Sequence, residues 1–363
     1  MLVSGQDKIA MEDYNRAVDF MWENVSKKVF NLNVKANWFP DSSGVWYINQ
    51  AKDNKRYIKI KLPGIEQSEL FNHESLATLL TDSIGEEVKP GDLPISKLVY
   101  KNTNELLINV KRKTYIFNTE LNTIGKYIPE EETEKNEIIS PDKKWIAFTK
   151  DYNLYIRSSA TDEIRQLSFS GKKGYEYANW YAWSDIMEGE DEERPLNLQL
   201  SWSEDSKWIY TNIYDLRNAE KMYLLNWGVD SLYRPKLLSY YRGSPGDTTM
   251  IHEEPVFFNI ETGKEVKPGL RGTHINGVSM KWSVNPEKVY LEKSSRGFQN
   301  LYIYQFDLIS GKLDTLYNES SLTNIDNFSF SLAEKRDRLF FLSEKSGWRQ
   351  LYSLNLMSRP EIS

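Results

Sequence analysis

The densest chemical feature of the chain is acidic. Asp185, Glu188, Glu190, Asp191, Glu192 and Glu193 put six carboxylates into nine residues, between Trp180, Tyr181 and Trp183 on one side and Arg194-Pro195 on the other. Such a run is either a solvated loop, the ordinary fate of crowded like charges, or a site for a cation. A calcium loop would space its acids as D-x-D-x-D-G, and this run does not. Three arginines could hold the planar oxygens of a carbonyl or carboxylate. They are Arg217, which follows Tyr214-Asp215-Leu216, Arg242, which follows Tyr240-Tyr241, and Arg296. The plainer reading of each is a structural partner between sheets.

A nucleophile is harder to find. A serine hydrolase of the α/β type needs a G-x-S-x-G elbow. Gly277-Val278-Ser279 runs on into Met280-Lys281, and Gly243-Ser244-Pro245-Gly246 has the wrong spacing and reads as a turn. The histidines are His73, His252 and His274, and none sits in a triad frame. His252-Glu253-Glu254-Pro255 is not H-E-x-x-H, so His252 reads as an exposed loop residue. The chain has no cysteine, which excludes a thiolate nucleophile, a disulfide scaffold and Cys-ligated zinc. No catalytic residue, metal or cofactor is expected within these residues.

The elements that must position these groups are mostly strands. A chain of 363 residues exceeds what one ordinary core serves, so two domains or one large repeat architecture are expected. The 22 Tyr and 11 Trp suit half-buried strands, where one face packs and the polar tip reaches water. A net charge of −6 gives no basic face for nucleic acid. No stretch approaches the roughly 20 apolar residues of a membrane span. The opening MLVSGQDKIA has no apolar leader core, so the chain reads as cytosolic or as lacking a removed leader.

Helical spacing of Ala10, Tyr14, Ala17, Val18 and Met21 predicts a helix over 10–22, and a second is expected over 73–82. Elsewhere a unit recurs: a small or aromatic start, a polar turn, a buried strand, a second turn and an alternating strand. Copies begin at WFPDSSGVWYIN (38–49), SPDKKWIAFTKDYNLYIRS (140–158) and SWSEDSKWIYTNI (201–213). Others are KWSVNPEKVYLEKSSRGFQNLYIYQFD (281–307), SLAEKRDRLFFLSEKSGWRQLYSLNL (331–356) and a degenerate copy over 96–117. Antiparallel strands repeating at this period predict an all-β fold, a β-propeller of four-stranded blades in which each blade buries its faces against its neighbours. Trp145, Trp202, Trp208 and Trp282 recur within the unit and are expected in the core. Two stretches, 169–200 and 238–259, read as insertions, and long connections are often functional.

The order of these segments resembles one family, the propellers of dipeptidyl aminopeptidase IV and its bacterial relatives in the prolyl oligopeptidase clan. EDYNRAVDFM is similar to their N-terminal helix. SPDKKWIAFTKDYNLYIRSSATDEIRQLSFSG, YYRGSPGDTTMIHEEPVFFNIETG, RGFQNLYIYQFD and SEKSGWRQLYSLNL resemble successive blade segments. The resemblance implies an N-terminal helical segment at 1–30 and blades over 31–363, about six of an expected eight. The rest, with an α/β-hydrolase domain carrying the catalytic triad, is expected beyond Ser363.

It also implies a role for the acidic run. In the family this insertion carries an Asp-Trp-Val-Tyr-Glu-Glu-Glu segment whose glutamates hold the free α-ammonium of the peptide. That exact segment is absent here; Asn179-Trp180-Tyr181-Ala182 and the later acids stand in its place. Counting back from Ser203 sets Asp191 and Glu192 opposite the glutamate pair, with Glu190 and Glu193 beside them. An ammonium leaving water needs anionic acceptors, and two carboxylates supply them. The implied parent is a secreted or periplasmic serine dipeptidyl peptidase. Its partners would be a peptide substrate, the chain's own hydrolase domain and a second copy in a homodimer. Two rival readings differ in class: a free-standing propeller that binds protein or carbohydrate, and a clan member of endopeptidase or tripeptidyl specificity.

Overall fold

The computed structural model describes residues 10–52, 54–127, 136–180, 196–228, 234–244, 246–273, 275–326 and 328–356. They divide into two compact units, Met1–Glu131 and Glu132–Ser363.

In the first unit, α1 (Met11–Asp19) is followed by the single turn α2 (Trp22–Val25), so the helix expected over 10–22 breaks at Phe20 and Met21. Neither helix buries a residue. Two four-stranded antiparallel sheets follow, between residues 37 and 69 and between 95 and 126. The connection between them is α3 (His73–Ile84), two residues longer than its spacing predicts. Its start is fixed by Asn72, whose side-chain oxygen accepts the amide of Ser75, and its end by Gly85 at φ 74°. Leu76 and Leu80 drop into a core with Tyr57, Phe71, Leu106 and Phe117. Each such side chain contributes about 1.5–3 kcal/mol on burial. His73 belongs to this core: its Nε2 accepts the amide of Tyr57 at 2.9 Å.

Among the described residues the second unit holds four larger sheets, which we number three to six, and one two-stranded hairpin. The third (residues 137–166) and fifth (278–320) are four-stranded meanders in chain order. The sixth has three described strands between Phe330 and Asn355. The fourth is built on two eight-residue strands, Trp208–Asp215 and His252–Asn259, paired along their whole length. Every repeat copy seen in the sequence lies in one of these six sheets.

Alternation along the two long strands explains the stacking. Ile209, Ile213, Val256 and Phe258 face the third sheet with Leu154 and Ile156. Trp208 and Phe257 face the fifth with Val289, Leu291 and Phe306. The fourth sheet is thus buried on both faces, as a blade must be.

The repeated turn has a common chemistry. Ser140 donates to Asp142 at 2.7 Å and accepts the amide of Trp145, while Ser203 donates to Asp205 at 2.6 Å and accepts the amide of Trp208. The tryptophans do more than fill the core. The indole N–H of Trp202 reaches the carbonyl of Ile138 at 3.2 Å, and that of Trp282 reaches Ser201 Oγ at 2.9 Å. Each ties the first strand of one sheet to the first strand of the sheet before it.

One expected insertion is misplaced. Residues 252–259 are the third strand of the fourth sheet, with Val256, Phe257 and Phe258 fully buried. The true insertion is 216–251, which carries a separate hairpin, Lys221–Asn226 with Lys236–Tyr241. Pro255 and two glutamates disguise the strand. Its outer edge is paired only at 252–253 and 257–258, which leaves Pro255 in the gap where a missing N–H costs nothing.

Candidate functional site at the insertion-bearing end of the sheets

In an antiparallel meander, the connection between strands two and three and the exit to the next sheet lie at the same end. Arg217, Arg296 and the segment 267–277 therefore gather at one end of the fourth and fifth sheets. Across that end of the fourth sheet, Tyr175, Asp215, His252 and Thr273 stand opposite one another in a single row.

The first strand of this sheet is split. Tyr175–Tyr177 pairs with residues 213–215 of the central strand, and Leu200–Trp202 pairs with 209–211. The chain between them leaves at Asn179 and returns at Leu198, which form a bridge. Polar bonds close this stem. Asn179 Oδ1 accepts the amide of Asn197 at 2.9 Å, and the amide of Gln199 donates to the Ala178 carbonyl at 2.8 Å. Beneath them Glu176, 1% exposed, accepts from the Gly174 amide and from Asn179 Nδ2. The expected insertion of 169–200 is thus a shorter excursion. Glu190, Asp191, Glu192 and Glu193 lie within it, outside the described residues.

Arg217 is held firmly. Its Nε and Nη2 meet the two carboxylate oxygens of Asp215 at 2.8 and 2.9 Å, and its guanidinium lies over the Tyr175 ring at 4.6 Å. Asp215 is buried, and Arg271 Nη2 also reaches its Oδ2 at 2.9 Å while its Nε reaches Glu254 at 3.2 Å. The bonds from Arg217 and the charges of both arginines hold the Asp215 carboxyl below the usual range. With one edge of its guanidinium fixed on Asp215, Arg217 remains 46% exposed.

On the opposite face Glu253 is buried beside Tyr210 and Tyr214, and burial alone pushes its carboxyl up to about 7. It packs against Gly277, where a Cβ would fall 2.7 Å from Glu253 Oε2. That contact explains the glycine that resembled half of a nucleophile elbow. Ser279 is simply an exposed residue of the strand Val278–Trp282.

His252 corrects the expectation of an exposed loop. It begins a strand, is half-buried, and its Nδ1 lies 3.2 Å from the Gly272 carbonyl. His274 lies outside the described residues. Of the three arginines, Arg242 is exposed just past the inserted hairpin, and Arg296 donates to the Ser244 carbonyl at 3.1 Å, joining two loops. Sequence reasoning missed Asp215, Arg271, Glu253 and Glu254. The i, i+2 spacing of Asp215 and Arg217 at a strand end was the one local signal. Two larger cavities, about 610 and 600 Å³, open beside the segment after α2 in the first unit; neither is lined by a residue singled out for chemistry.

Comparison with known proteins gives this end of the sheets a context. Residues 96–362 match the family described as the dipeptidyl peptidase IV (DPP IV) N-terminal region. The match spans most of the chain, and the chain belongs to that family. Its fold is accordingly of the all-β propeller class, built of antiparallel, mostly four-stranded sheets with a short N-terminal helix. No curated protein sequence matches it. Among solved structures, Porphyromonas gingivalis dipeptidyl peptidase 4 is similar at 11% identity and a TM-score of 0.50, covering 98% of this chain and 49% of that one. A putative dipeptidyl aminopeptidase IV from Bacteroides ovatus has 14% identity and a TM-score of 0.49, covering 91% of this chain and 44% of its own. At such identities the likeness is one of fold. The chain spans about half the length of either structure.

Proposed function

We propose that this chain is the non-catalytic propeller region of a DPP IV-like serine exopeptidase. It filters access to the active site and anchors the N-terminus of the peptide. Residues 1–30 lead into the blades, which occupy 31–363, and an α/β-hydrolase domain supplies the nucleophile, base and orienting acid. Asp191 and Glu192, with Glu190 and Glu193 beside them, receive the peptide α-ammonium. Arg217 offers its remaining N–H groups to a peptide carbonyl, and Arg242 and Arg296 are the other candidates for that contact. The whole protein works in the periplasm or outside the cell and can pair as a homodimer.

The observation that supports this best is the split strand beside the Asp215–Arg217 pair. The acidic excursion is rooted in a rigid sheet edge, and a fixed carbonyl-binding guanidinium stands at the same end. A ruler that sets the distance from amine to scissile bond needs both ends held. The test is kinetic. The complete gene product should cleave dipeptidyl p-nitroanilides with Pro or Ala in second place and lose nearly all activity when the peptide amine is acetylated. Equal rates on free and acetylated peptides would remove the anchor, and cleavage of neither would remove the peptidase reading.

A further inference from the structure

Between the fourth and fifth sheets lies a cavity of about 390 Å³. It is framed by His252, by Arg271, Thr273 and Asn276 from the connection between the sheets, and by Lys293 and Arg296 from the next hairpin. None of its lining residues is acidic, whereas three are permanently or ordinarily cationic.

The state of each cation matters. Arg271 already faces Asp215 and Glu254. Among the described residues Arg296 bonds a neutral acceptor, the Ser244 carbonyl; Asp247 feels its charge but accepts from Thr249. Lys293 is half-buried and makes no ion pair among the described residues. Burial pushes its ammonium below the ordinary lysine range, and no nearby carboxylate offsets this. Glu253 packs behind Gly277, outside the cavity lining, and burial raises its carboxyl to about 7. The frame is also rigid: Asn276, itself buried, donates to the Ser294 carbonyl at 2.9 Å and accepts from Thr273.

A desolvated cation without a partner costs stability unless something anionic completes it. We infer that this cavity is a carboxylate pocket, in which Lys293 and Arg296 hold an acidic side chain or the C-terminal carboxylate of a peptide. An ammonium and a guanidinium three residues apart on one hairpin suit a carboxylate, which accepts at both oxygens. The cavity volume admits such a group with the residue that carries it. The inference takes from the reading above only that the ligand is a peptide. It adds a second charge requirement, negative and distinct from the positive amine.

The test uses the 363-residue chain and the tetrapeptide Ala-Pro-Gly-Glu, titrated at low salt. Lys293→Met and Arg296→Gln should each weaken binding about tenfold or more, while Lys293→Arg and the remote, exposed Lys312→Met should not. Arg296 is exposed, so its variant carries the test if Lys293→Met fails to fold. Amidating the C-terminus and replacing Glu by Gln separate the two carboxylate sources: loss in either arm names the source. Unchanged affinity in both arms, no binding at all, or indifference to both substitutions overturns the pocket. Acetylating the amine reads the other site independently, so a loss there with no loss on amidation or Gln substitution would sink this inference and leave the amine anchor standing.

Discussion

Arg217 closes on Asp215 with two bonds, 2.8 and 2.9 Å long, while Arg271 shares the Oδ2 of the same carboxylate. One buried acid thus orders two half-exposed cations at the end of a strand. Asp215→Asn should lower stability by about 1–3 kcal/mol, less than a fully buried pair because both arginines can still reach water. Because its folded pKa is depressed, the stabilisation from Asp215 is complete above the unfolded value near 4 and is lost as pH falls through the folded one. Denaturant melts of the two proteins should therefore differ at pH 7 and converge in acid. A constant gap across that range would mean the pair contributes through packing alone.

Glu253 has the opposite sign. The folded chain keeps its proton up to about pH 7, while the unfolded chain loses it near 4.5. Its contribution is therefore most favourable below 4.5, declines between 4.5 and 7, and stays reduced above. Glu253→Gln should match the parent at pH 4 and exceed it at pH 8, by up to about 3 kcal/mol. Equal stability of parent and variant at pH 8 would show that the carboxylate finds a solvated position when it ionises.

Trp282 and Ser201 provide a measure of coupling between neighbouring sheets. Trp282→Phe and Ser201→Ala, made singly and together, should give a coupling energy of about 1 kcal/mol, the net value of one hydrogen bond. Strict additivity would assign the tryptophan to packing only.

For the anchor itself, Asp191→Asn with Glu192→Gln in the complete protein should raise KM by the equivalent of about 1–3 kcal/mol, the value of a charged hydrogen bond. Unaltered kinetics in the double variant would leave the acidic run as a solvated loop.

The blades were legible because their turns are local. Ser140-Pro141-Asp142 and Ser203-Glu204-Asp205 close their own loops and repeat their own spacing, so no tertiary knowledge is needed to see them. α3 was legible for the same reason, since its cap and its apolar spacing lie within a dozen residues. What failed was non-local. Arg271 meets Asp215 across 56 residues of sequence, and nothing near either residue announces the other. The strand His252–Asn259 was hidden because Pro255 and its glutamates argue against a strand unless the gap in the outer pairing is known. Trp202 and Trp282 were read as core; Trp202 is buried and Trp282 partly buried against the core, but their indole bonds to the preceding sheet depend on a stacking that no single repeat reveals.

The excursion that starts at Asn179 and ends at Leu198 departs and rejoins at adjoining rungs of one strand. Its length is therefore uncoupled from the register of the sheet. Lengthening a connection between fixed anchors costs closure entropy slowly, about 0.6 kcal/mol for each doubling. Selection can rewrite the sequence between Asn179 and Leu198 without renegotiating how the blade folds, so divergence among relatives should concentrate between those two anchors.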